Sequence, residues 1–132
     1  MKATLEFIAE VNSIKGLRIV GEPKFCNVAI QATDKKINIY SVGNYVSKQG
    51  FHMQAGPVYP VLMIIIHHNN ALHLKKVAQF LRDGVEAVRK SPKEWEKGPM
   101  KINEVVSTIP RAVGKRVVQE CFHELYRLEN YE

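Results

Sequence analysis

The sequence predicts an α+β domain: a small, mostly antiparallel four-stranded sheet with helices on one face, followed by a C-terminal helix. Three observations carry this. Cys26, Val28, Ile30 and Ala32 alternate with Asn27, Ala29, Gln31 and Thr33, the period of a strand with one buried face. Leu74, Val77, Ala78, Leu81, Val85 and Val88 recur at helical spacing and form one apolar stripe. The backbone breakers Gly16, Pro23, Gly50, Gly56-Pro57 and Pro92 fall between such runs rather than inside them. The resulting order is α-β-β-α-β-β-α, then a tail that ends in a helix.

Each element has its own local reason. Thr4 to Lys15 reads as a helix, with Leu5, Ile8 and Val11 on one side and Gly16 as its stop. It begins almost at the first residue, as a helix with its start cut off would. Leu17–Gly21 reads as a strand, and the turn Glu22-Pro23-Lys24 folds it back on residues 26–33 as an antiparallel pair. Asp34-Lys35-Lys36 is a polar loop. Asn38 then caps a helix running to Gln49, with Ile39, Val42 and Val46 on one face and Gly50 at its end. Phe51–Ala55 alternates as a strand until Gly56-Pro57 breaks it. Val61–Ile66 is a continuous apolar run, which suits a strand covered on both faces or lying against a helix layer. The helix over residues 73–90 stops at Ser91-Pro92, and Lys93–Gly98 is a polar linker. A last amphipathic helix over about residues 111–130 carries Val113, Val117, Cys121, Phe122, Leu125 and Leu128, with Pro110 just ahead of it. Residues 1–92 form the small domain, with 1–15 as a linker helix, and residues 93–132 are a linker and helix packed on that domain.

Composition narrows the function classes. A chain of 132 residues is about one domain and can bury a core without metals or disulfides. The net charge of +6 favours acidic partners, but the cations are scattered, as on a solvated surface. The two cysteines, Cys26 and Cys121, have no metal or redox spacing, and both are expected to be buried apolar thiols in a reducing compartment. The chain is expected to be cytoplasmic or cytosol-facing. Its longest apolar run, Val61–Ile66, is far below the roughly 20 residues that span a bilayer. His67, His68 and His73 invite a metal reading, yet HExxH is missing and no acid lies between Val61 and Arg82; a polar turn is the simpler account. Neither GxSxG nor a glycine-rich phosphate loop occurs. An RNA-binding sheet needs stacking aromatics, and neither residues 26–33 nor Val61–Ile66 has one, so no nucleic-acid partner is expected.

Three stretches carry a family likeness: KGLRIVGEPKFCNVAIQATD, NIYSVGNYVSKQGFHMQAGP and YPVLMIIIHHNNALHLKKVAQFLRDGVEAVRKSP. In their order and spacing, Gly16 to Pro92 resembles the C-terminal small domain of the group II pyridoxal-phosphate decarboxylase superfamily, most of all its sphingosine-1-phosphate lyase branch. The tail from about Ile102 to Tyr126 resembles that branch's ending. Phe51 stands where the family usually has tryptophan, and Met53 and Gln54 stand near its leucine and asparagine. His67 and His68 replace a threonine and a small apolar residue.

The resemblance implies a fold-type I domain that packs beside a large domain holding pyridoxal phosphate on a lysine, in an enzyme that is a homodimer at full length. That lysine usually follows a histidine, and this chain has no His-Lys pair. None of the family's catalytic or cofactor contacts therefore transfers to a residue here. The implied role is a non-catalytic fragment of a carbon–carbon lyase. The alternatives are the same domain of an amino-acid decarboxylase, or a freestanding interaction module. Residues that reach the active-site mouth are expected beside the Gly-Pro break, namely His52, Gln54 and Tyr59.

Overall fold

One antiparallel sheet organises the chain, and the alternation of its strands gives it two unlike faces. A computed structural model describes residues 2–23, 26–56, 59–116 and 119–120. The strands are β1 (Leu17–Ile19), β2 (Asn27–Ala32), β3 (Gln54–Ala55) and β4 (Leu62–Ile65), in the spatial order β1-β2-β4-β3, with every neighbouring pair antiparallel. The helices are α1 (Lys2–Asn12), α2 (Ile39–Lys48), α3 (His68–Ala71), α4 (Leu74–Lys90) and α5 (Lys101–Thr108), with a 3₁₀ turn at Pro92–Trp95.

The register places Ile19, Ile30, Leu62 and Ala55 in one row across the inner face, and Val28 beside Ile64 in the next. Val28, Ile30 and Leu62 are fully buried there, joined by Met53. Burying one such aliphatic side chain stabilises the fold by about 1.5–3 kcal/mol. Helices α2 and α4 cover this face, and α1 packs on α4 through Phe7 and Val11. Arg82 on α4 reaches Glu10 at 3.5 Å and the Ser13 hydroxyl at 3.2 Å, which ties the end of α1 to α4.

The two central helices meet closely because α4 has a glycine at the crossing. A Cβ on Gly84 would lie 3.1 Å from Tyr45 Cδ1 and 3.3 Å from Val42 Cγ1. Glycine costs a helix about 1 kcal/mol relative to alanine; the close packing it permits offsets that.

Helix α2 also holds the segment after α4. Asn44, 5% exposed, donates from Nδ2 to the Trp95 carbonyl at 2.8 Å and accepts from the Met100 amide at 2.9 Å. Trp95 meets Tyr45 edge-on at 4.9 Å between ring centroids. The cap Asn38 accepts from the Tyr40 amide at 3.0 Å and donates to Glu104 on α5 at 2.7 Å. Lys101 also donates to Glu104, at 2.8 Å, and this bond holds its ammonium above the usual lysine range; the charges of Glu104 and Glu96 add to the effect.

The sequence-based expectations hold for the sheet, for Asn38 as a cap and for the long helix, and three points need correction. The third strand is shorter than Phe51–Ala55, because the Phe51 amide is used by the end of α2, donating to the Val46 carbonyl at 3.3 Å. The apolar run Val61–Ile66 lies against the helix layer, one of the two arrangements expected of it: Leu62 and Ile64 are buried, while Ile65 is 46% exposed. Cys26 is exposed rather than buried, since it precedes β2 at the sheet's end; Cys121 lies outside the described residues. Helix α5 was not expected, as its β-branched Ile102, Val105 and Val106 favour helix only weakly. Of the last expected helix, residues 111–116 and 119–120 are helical, and the remainder lies outside the described residues.

Two substitutions test this packing. Asn44→Ala strips a buried donor and a buried acceptor of their partner, and is expected to lower the unfolding free energy by about 2–4 kcal/mol in urea denaturation. Gly84→Val overfills the α2–α4 crossing, and a loss of about 1–3 kcal/mol is expected by the same measurement.

Candidate functional site

The face of the sheet turned away from the helices carries most of the candidate residues. Its rows follow from the register. Arg18 stands opposite Gln31. The Val20 amide donates to the Ala29 carbonyl at 2.8 Å, Ala29 stands opposite Met63, and Met63 stands opposite Gln54. Asn27 stands opposite Ile65, while His52 precedes β3 and is exposed. Met53, between His52 and Gln54, is buried, which leaves its two exposed neighbours on the open side.

Tyr59 does not join them. It sits in the loop that follows Gly56, at the other end of β3, and is 65% exposed. Four residues of extended chain, about 13 Å, separate His52 from Gly56. The structure thus brings His52 and Gln54 onto one face and leaves Tyr59 at the hairpin tip.

Tyr40, a residue given no site role from sequence, anchors that tip. Its buried hydroxyl donates to the Gly56 carbonyl at 2.8 Å, while the Gly56 amide donates to the Val61 carbonyl at 2.8 Å. A Cβ on Gly56 would stand 2.6 Å from Val61 Cγ2 and 2.7 Å from the Tyr59 carbonyl oxygen, so only glycine lets the strands approach this closely before the tip. The available signal was Tyr40 itself: a tyrosine on the apolar side of α2 must find a partner for its hydroxyl.

The three histidines after β4 stand at helix starts: His67 and His68 open α3, and His73 precedes α4. The Asn70 side chain accepts from the His67 amide at 2.9 Å and donates to the Ile65 carbonyl at 2.8 Å, which closes the single turn of α3. Among the described residues, no group of three or more His, Cys, Asp or Glu side chains could hold a metal ion.

A groove of about 580 Å³ runs between α1 and the α3–α4 corner and is lined by Glu6, Glu10, Ser13, Leu72 and Lys75 among others. It does not fit pyridoxal phosphate. Its lysine, Lys75, is exposed, and the two carboxylates beside it would repel the cofactor's phosphate. No described helix is long and apolar enough to cross a membrane.

Comparison with known proteins agrees with this geometry. No protein-family model matches the chain. A sphingosine-1-phosphate lyase from Dictyostelium discoideum is 31% identical over 88 residues, which make up 67% of this chain and 14% of that enzyme. The structure of a sphingosine-1-phosphate lyase from Burkholderia pseudomallei superposes with a TM-score of 0.61 at 20% identity, over 70% of this chain and 21% of that one. The chain therefore spans a small share of the enzymes it matches. It is related in sequence to sphingosine-1-phosphate lyase, and it has the α+β fold of one segment of such a lyase.

Proposed function

We propose that this chain is the C-terminal small domain of a pyridoxal-phosphate-dependent carbon–carbon lyase that acts on a phosphorylated sphingoid base, and that it does no chemistry alone. The observation that carries the reading is the pairing of 31% identity with a match to only 14% of the relative's length. A piece of that size holds one layer of such an enzyme, and the cofactor, its lysine and the reacting bond belong to the remainder. The full-length enzyme is a homodimer that faces the cytosol. Residues 1–92 make up the domain proper, and residues 93–132 pack on it.

Within that reading, His52, Gln54 and Tyr59 have separate tasks. Tyr59 is exposed just beyond the Gly56 carbonyl that Tyr40 holds, which supports assigning its phenol to the active-site mouth. His52 and Gln54 lie along the open face, where they fill the contact between domains and reach substrate less directly.

The isolated chain, incubated with pyridoxal phosphate and reduced with borohydride, is expected to show no stoichiometric label on a single lysine and no aldehyde release from a phosphorylated sphingoid base. One fully labelled lysine, or aldehyde release by the chain alone, would overturn the reading. In the intact enzyme, Tyr59→Ala is expected to raise KM several-fold; unchanged KM and kcat would remove Tyr59 from the mouth.

A further inference from the structure

Two exposed leucines and a group of cations share one end of the molecule. Leu72, in the turn between α3 and α4, is 89% exposed, and Leu5, near the start of α1, is 61% exposed. They meet at one pole because α1 and α4 run side by side in the same direction. At the end of α1, Glu10 and Ser13 meet Arg82, and the Lys15 carbonyl accepts from Arg89 at 3.1 Å. At the start of both helices the groove joins Ala3 to Leu72 and Lys75.

Leu72 has no route into the core. That place is taken by Leu74, which is 3% exposed. The corner ahead of it is closed by Asn70, whose side chain binds the His67 amide and the Ile65 carbonyl and whose own carbonyl accepts from the His73 amide at 2.9 Å. The turn therefore holds an aliphatic side chain in water, where it gains nothing.

The charged side chains around the two leucines are mostly cations. Lys2, Lys75 and Lys76 are exposed, as are His67, His68 and His73. From Lys35 to Arg82 the sequence contains no Asp or Glu. On the α1 side Glu10 is held by Arg82 at 3.5 Å, which leaves Glu6 as the acid on the groove nearest this pole. Aliphatic side chains ringed by lysines suit an anionic bilayer: the aliphatic groups enter the boundary between headgroups and acyl chains, and the ammonium groups meet lipid phosphates. A nucleic acid would use the cations but not the leucines. It would also want stacking aromatics, and no Phe, Tyr or Trp lies between Val61 and Val77.

We propose that this pole lies on an anionic lipid surface, with Leu72 and Leu5 inserted and Lys2, Lys75 and Lys76 on lipid phosphates. The contact is peripheral, and it stands independently of the function proposed above.

The 132-residue chain is mixed with vesicles of phosphatidylcholine alone or with added phosphatidylserine, and partition is read by co-sedimentation. Partition is expected on the anionic vesicles and to be weak on the neutral ones. Leu72→Glu and Lys75→Glu are each expected to lower it at least about fivefold, with thermal midpoints near the parent's. Lys90→Glu makes the same charge change as Lys75→Glu at the far end of α4, and is expected to lower it much less. Absence of partition on anionic vesicles would overturn the proposal. So would partition that Leu72→Glu leaves unchanged, or equal losses from Lys75→Glu and Lys90→Glu, which would reduce the effect to the net charge of the chain. Binding of an RNA oligonucleotide that survives Leu72→Glu, without partition on vesicles, would assign the cations to nucleic acid instead.

Discussion

The structure depends on a single constraint: one sheet covered by one layer of helices. Strands β2 and β4 are central, and their pairing fixes which residues of each strand face α2 and α4. A slip of one residue would turn Ile30 and Leu62 outward and Gln31 and Met63 inward, exchanging the two faces. Every later feature inherits this register, from the tip after β3 to the row that ends on Gln54.

Helix α2 converts that sheet into a framework for loops. Its cap Asn38 reaches α5, Tyr40 fixes the backbone at Gly56, and Asn44 holds both the 3₁₀ turn and the start of α5. All three polar contacts leave one helix in different directions while Val42 and Val46 remain in the core. Buried polar groups are costly unless paired, so each bond does more than add its own small stabilisation: it excludes arrangements in which the group would go unpaired. The glycine at position 84 serves the same helix by letting α4 approach it.

Much of this was legible in the sequence, for reasons that differ between elements. Strand β2 and helix α4 are long enough for periodicity to show, and Asn38 sits where an N-cap must. The period of two around Met53 likewise puts His52 and Gln54 on the open side. Less could be read where tertiary contacts decide. Phe51 alternates like a strand residue, but its amide is taken by the end of α2. The run Val61–Ile66 is uniformly apolar, so no pattern within it shows that Ile65 faces outward. Helix α5 has weak formers and is held by Asn38 and Asn44 from far earlier in the chain. Within the candidate site, Tyr59 is separated from His52 because the two lie beyond opposite ends of β3, and strand β1, at three residues, is too short for its pattern to single out Arg18.

The open face of the sheet carries apolar groups that strand alternation alone does not require. A sheet meant to face water alternates apolar residues inward with charged or polar residues outward. Strand β4 departs from this, with Met63 and Ile65 on the outer side, and β1 follows it with Val20. Such residues lower the solubility of an isolated domain and gain nothing from solvent. Covering them would gain about 25 cal/mol for each Å² of apolar surface removed from water. The helices already occupy the other side of the sheet. The core is therefore complete on the helix side, and the open face can be covered without displacing it.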